Sequence, residues 1–243
     1  MFNGCNIAAI AAKKYQPLVK DYLAYLELGQ KHFNNPQIST EIRCQKINLL
    51  AKALQKNTPY KQGLIYRLQN YFVQENLSIT LLLEPLSAWQ YMAAGNQPTS
   101  GTQVSEILNR LMSPAARLLL VLDNENPSTY LPLTSLFILL FLQEIFIKNS
   151  DFIKKAKMSK RQRESRLNGL YKNAAVILAL IRNKRLKFKL AILLNTARLH
   201  TERMKNNKQG NPTFLDYTLI FLYSLWQFLV IKRKSVNNKK IKV

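Results

Sequence analysis

The chain has 243 residues, 47% of them hydrophobic, which is ample for a full core and excludes the composition of a disordered chain. Its 7 glycines are scattered at 4, 29, 63, 95, 101, 169 and 210, so no phosphate-cradling loop or dinucleotide fingerprint can be written, which disfavours nucleotide-binding α/β folds. The net charge of +23 is unevenly placed: residues 1–150 hold 13 Lys/Arg against 9 Asp/Glu, whereas residues 151–243 hold 23 against 4, a balance of +19.

From Ala8, apolar residues recur at helical spacing through Tyr15, Leu18, Tyr22, Leu23, Tyr25 and Leu26. They predict a first helix ending near His32, before Asn34-Asn35-Pro36. Ser39 or Thr40 caps a second, whose stripe of Ile42, Ile47, Leu49, Leu50 and Leu54 runs to Lys56. Thr58, with Pro59 behind it, opens a third helix to about Val73, because the first helical position needs no N–H. Ser78 opens a fourth, Ile79 to Ala94, with a kink expected at Pro85, and Asn96 to Gly101 is a polar loop. A short helix from Thr102 to Met112 then meets Ser113-Pro114, read as another cap and first-turn proline, and Ala115 to Leu122 continues from it.

Asp123 to Ser128 is a turn, and Tyr130 to Lys148 is the stretch that the other helices must surround. Leu131 to Ile147 counts 17 residues, the lower limit for a bilayer span, but Thr134, Ser135, Gln143 and Glu144 interrupt it. A helix apolar on every side is expected at the centre of a helical protein, with Gln143 and Glu144 forming one wall of any enclosed site. A basic connection from Lys154 to Arg163 follows, with Ser159 and Gln162 at capping-box spacing, and the helix it opens reaches about Ile181. Arg182, Lys184, Arg185, Lys187 and Lys189 lead into Leu190 to Met204, and Asn206 to Pro212 is a loop. The last helix, Leu215 to Ile231, is rich in aromatics, and its apolar core of 13 residues is too short to cross a bilayer. The fold class is all-α: a bundle of nine or ten helices over residues 1–231, with a basic tail at 232–243 expected to be disordered.

Cys5 and Cys44 lie 39 residues apart and the only histidines are His32 and His200, so no cluster has metal-ligand spacing. Two reduced cysteines suit an intracellular protein, and Met1 to Ala12 lacks the pattern of a signal peptide. A mitochondrial address is the alternative, carried only by Lys13, Lys14 and Lys20 ahead of the first acid, Asp21. Neither histidine adjoins a recognisable nucleophile turn, so Ser-His-acid catalysis has no footing.

Residues Leu83 to Leu122 read as a helix, a polar loop and a helix holding Ser113-Pro114-Ala115-Ala116-Arg117-Leu118, with the central helix next. This order resembles the squalene/phytoene synthase family, head-to-head prenyl transferases with an all-helical isoprenoid synthase fold, whose members carry an Asn-Pro-x-Gly-Arg-Leu-like pattern there. Arg182 to Leu194 and Leu215-Asp216-Tyr217 resemble the family's closing helices, so that the likeness covers roughly residues 15–230. It implies a single-domain bundle in which paired carboxylates bind Mg²⁺ and a polyprenyl diphosphate. By the resemblance, the first acidic motif falls at Gln30, Lys31 and Asn34. The second keeps Glu144 and places Lys148 at its partner position, where a lysine repels a metal ion. None of the 13 acids has another three or four residues away, so no carboxylate pair shares a helix face anywhere.

The expectation is therefore a catalytically degenerate member without metal cofactor, in which Arg117, Gln143 and Glu144 remain as residues that could bind substrate or lipid. An active prenyl transferase, with Mg²⁺ or with the basic run in its place, is the alternative. The +19 balance of residues 151–243 calls for a polyanion, and a peripheral contact with an anionic membrane on the cytoplasmic side is expected from Lys154, Lys155, Lys157, Arg182, Lys184, Arg185, Lys187, Lys232, Arg233 and Lys234. The protein would act at the membrane by binding either an isoprenoid lipid in its helical cavity or a protein partner. Nucleic acid, the third alternative, usually needs aromatics interleaved with the cations, and between Asp151 and Lys172 there are only Phe152 and Tyr171.

Overall fold

A computed structural model describes residues 7–33, 37–56, 58, 63–96, 100–147, 159–205, 216 and 218–225; the side chains of 30–33, 144–147, 160, 204 and 205 are not among them. Among the described residues there are nine α-helices and no strand. They are α1 (Gln16–Phe33), α2 (Thr40–Gln55), α3 (Gly63–Gln74), α4 (Thr80–Ala93), α5 (Gly101–Leu122), α6 (Tyr130–Ile147), α7 (Lys160–Ala175), α8 (Ile177–Leu180) and α9 (Lys184–Lys205). Residues 218–225 form a further helical segment. No helix of the described part is long and apolar enough to cross a membrane.

Local signals account for several of the helix starts. Ser39 accepts from the Ile42 amide at 3.4 Å, and Ser100 from that of Gln103 at 3.3 Å. Ser159 and Gln162 close a full capping box, each side chain accepting the other residue's amide. Two expected starts are different. Thr58 closes α2, since its amide and hydroxyl both donate to the Ala53 carbonyl; α3 is described from Gly63, and Pro59 lies outside the described residues. Ser113 caps nothing, because α5 runs unbroken through Pro114. The apolar face of Val104, Leu108, Met112, Ala115 and Leu119 stays in phase across the proline, and the carbonyl it deprives of a partner belongs to Arg110, an exposed residue. At the other end, the helix expected to reach Ile181 is interrupted at Val176, and α9 starts at Lys184, so that the basic run forms its first turns.

One contiguous core runs from Ile7 to Ala197. α6 lies at its centre, against α5, α7 and α9, with Leu133, Leu136, Phe137, Ile138, Leu139 and Leu142 buried on several sides. Leu131, in its first turn, is 60% exposed. The first four helices gather around α1, which packs on α2, α3 and α4.

The aromatic residues of α1 explain how Pro85 sits inside α4. A proline supplies no N–H and pushes away the carbonyl four residues before it, here that of Leu81. The buried Tyr22 hydroxyl donates to this carbonyl at 2.5 Å, and that of Tyr25 donates to Leu82 O at 2.7 Å. The ring of Tyr22 stacks on Phe72, and that of Tyr25 meets Trp89 edge-on with centroids 4.8 Å apart. Trp89 in turn lies flat against Gly29: a Cβ on residue 29 would come within 1.8 Å of the indole.

Candidate functional site

Arg117 and Gln143, the inner residues expected to meet a ligand, are both engaged with the protein itself. Arg117 of α5 donates to the Glu84 carboxylate of α4, and its guanidinium lies 5.5 Å from the centre of the Tyr130 ring. Gln143 is buried, and its amide donates to Ala197 O at 2.5 Å and to Thr201 Oγ1 at 2.7 Å, tying α6 to α9. These arrangements tie α4, α5, α6 and α9 together. Glu144 lies in the last turn of α6, and Gln30 and Lys31 in that of α1, but their side chains are outside the described residues. Asn34, Lys148, Lys154, Lys155, Lys157, Lys232, Arg233 and Lys234 lie outside them altogether.

The described carboxylates show where magnesium would have to compete. Asp21 pairs with Arg67, Glu106 with Arg110, Glu84 with Arg117, Asp123 with Arg185, Glu202 with Arg198 and Asp216 with Arg203. Among the described residues no three His, Cys, Asp or Glu side chains come together around one point. A magnesium clamp needs several oxygens facing one centre, and each of these carboxylates instead faces an arginine.

A second polar cluster, which the linear pattern did not disclose, joins the end of α5 to the start of α9. Glu125 is buried and its carboxylate accepts the amides of Arg182 and Asn183 just ahead of α9, while the Asn183 side chain caps the helix by accepting the amides of Arg185 and Leu186. Arg185 donates to buried Asp123 and, at 3.1 Å, to Ile10 O. Lys189 donates to Ala9 O and Ala11 O, so the segment before α1 is held to α9. Burial raises the Asp123 pKa, against the pull of Arg185, and burial likewise lowers that of Lys189, assisted by Arg185. The basic face expected at the start of α9 is thus divided. Arg182 and Lys184 are exposed, Lys187 is half-buried, and Arg185 turns inward, because a buried carboxylate requires a cation beside it.

Residues 218–225 carry an inverted pattern. Ile220 and Ser224, one turn apart, face the protein, and Ser224 Oγ receives the Asn195 amide at 2.8 Å. Phe221 meets Phe188 of α9 edge-on, with centroids 5.8 Å apart. Leu222 points the opposite way at 54% exposure, between Leu219 at 64% and Leu225 at 38%, with Phe221 and Tyr223 on the shoulders. The only signal for this in the sequence is the spacing of Ser224 within an otherwise apolar stretch, and periodicity by itself would have turned that serine outward.

Fold and geometry thus define an all-α protein in which Arg117, Gln143, Arg185 and Asn195 bond to other groups of the bundle while the leucines of residues 218–225 face outward. No known family model matches the chain, and comparison with curated proteins and with solved structures finds no match either.

Proposed function

We propose that this chain is a squalene/phytoene synthase-like bundle that does not perform metal-dependent prenyl transfer and acts by binding an isoprenoid-type lipid or a protein partner at an anionic membrane surface. The observation that carries the reading is the contrast between inside and outside. Arg117 and Gln143 are held by partners within the bundle, while residues 165–201 contain eight Lys/Arg and no acid, with Lys172, Arg182 and Lys184 exposed. Acids close to this surface are paired, Glu202 with Arg198, Asp216 with Arg203 and Asp123 with Arg185. A diphosphate substrate would have to detach Arg117 from Glu84, and a metal would have to displace arginines from several carboxylates.

The test has two arms. Incubation with farnesyl and geranylgeranyl diphosphates, with and without Mg²⁺ and a reductant, is expected to give no condensation product above a boiled control. Flotation with liposomes is expected to carry the protein upward with phosphatidylserine-containing vesicles at low salt and less so at high salt, since charges on the surface are screened within about 8 Å at physiological ionic strength. Squalene, phytoene or a diphosphate precursor in the first arm would establish the enzymatic alternative.

A further inference from the structure

We infer that residues 218–225 are the part of this protein that enters the bilayer, with Leu219, Leu222 and Leu225 among the acyl chains and Lys184 and Arg182 beside them at the level of the headgroup phosphates. The inference rests on the membrane reading above and adds to it the surface and the orientation. A helix at a water-facing surface ordinarily turns its polar residues outward and its apolar ones to the core. Here Ser224 is fully buried and hydrogen-bonded to Asn195, whereas Leu219, Phe221, Leu222, Tyr223 and Leu225 are all more than a third exposed. Water makes that orientation unfavourable, and an apolar medium makes it favourable.

The cations lie where such a medium would have its boundary. Phe188 of α9 touches Phe221, and Lys184, four residues earlier, shares its helix face one turn away. Arg182 lies two residues before the start of α9 and is exposed. α9 is therefore the platform that carries both the apolar row and its basic edge.

Charge selects the occupant. A second copy of the chain would bring another +19 region against the first, and repulsion opposes that contact. Single-stranded nucleic acid would be attracted by the cations, but bases stack on aromatic rings, and the centre of this row is Leu219, Leu222 and Leu225. An anionic lipid surface satisfies both features, since it offers phosphates to the lysine and arginine and hydrocarbon to the leucines.

The experiment uses the full chain and phosphatidylcholine vesicles with and without phosphatidylserine. Leu219→Ser and Leu222→Ser together leave the charge unchanged and remove the centre of the row; Leu49→Ser and Val73→Ser do the same to two exposed apolar residues on α2 and α3, at 62% and 64% exposure. The first pair is expected to lower the partition into anionic vesicles about tenfold or more, and the second to leave it at the wild-type value. Thermal melting of all three proteins should coincide, since the substituted side chains are largely exposed. If the wild type floats and the first pair floats equally well, or if the two pairs lose attachment equally, the orientation inferred here is wrong while membrane attachment stands. If the wild type does not float with anionic vesicles, or is held by single-stranded DNA instead, the membrane reading itself falls. A first pair that melts early is replaced by Leu222→Asn alone, for which the same loss is expected in smaller measure, and attachment unchanged in that variant would overturn the orientation equally.

Discussion

The helices α1–α4 and the helices α6–α9 reach a filled interior by different chemistry. In the first group large rings do the packing: Tyr22, Tyr25, Phe72 and Trp89 are all at most 2% exposed, the two tyrosine hydroxyls end on the Leu81 carbonyl that Pro85 disturbs and on its neighbour Leu82 O, and the indole occupies the space beside Gly29. In the second group the aliphatic side chains of α6 fill the centre and polar ties set the register, Gln143 to Thr201, Asn195 to Ser224 and Arg185 to Asp123. The difference teaches that the ring-packed half resists added atoms, whereas the aliphatic half resists lost polar partners. Most of the charge and the outward leucine row belong to the second half, so the part with the more replaceable packing is also the part suited to binding.

The strongest way to break this contrast is Gly29→Ala. The added Cβ would overlap Trp89, and the helix and the indole cannot both stay in place; a loss of about 3 kcal/mol in urea unfolding is expected. Adding Trp89→Leu should recover part of that loss, because the two changes act on one contact. A Gly29→Ala protein as stable as the wild type would show that the ring-packed half yields easily. Gln143→Leu probes the other half with a side chain of similar bulk and no donors. It should lower stability by about 1 kcal/mol, since Thr201 Oγ1 loses its donor while Ala197 O keeps the Thr201 hydroxyl. Equal losses for the two variants would erase the distinction drawn between the halves.

The smallest effect is a pH dependence confined to the second half. Burial, with Arg203 adding to it, holds His200 below its ordinary value of 6.5. The unfolded chain then binds a proton that the folded one refuses, so stability is full above 6.5 and declines as the pH falls through that value. Asp123 acts in the opposite sense in acid, because its raised pKa lets the folded state take up a proton before the unfolded chain does. Calorimetric melting followed from neutral to mildly acid pH should show the first decline, and His200→Asn should flatten it. A slope that persists in that variant would assign the dependence to another group.

The aromatic contacts of α1 illustrate what could and could not be read ahead of the structure. Tyr15, Tyr22 and Tyr25 were legible as members of an apolar helical stripe, yet their hydroxyl partners lie 57 and 59 residues away on α4 in the two cases the structure resolves. Arg117, in the pattern of the family resemblance, and Gln143, in the last turn of the apolar helix, read as ligand residues, yet both have protein partners, Glu84 at a separation of 33 residues and Thr201 at 58. Nothing in local spacing encodes such pairings.

By itself the sequence determined the all-α class, the apolar helix at the centre, a cap at Ser39 or Thr40 and the Ser159–Gln162 capping box, because helix periodicity and end-capping depend on residues within four positions of one another. Tertiary structure alone decided that Pro114 stays inside α5, that Arg185 turns in to Asp123 while Arg182 and Lys184 remain outside, and that residues 218–225 bury their serine and expose their leucines. Each of these is a competition between a local preference and contacts made across the bundle, and packing and paired burial outweigh a single lost backbone bond or an exposed methyl group.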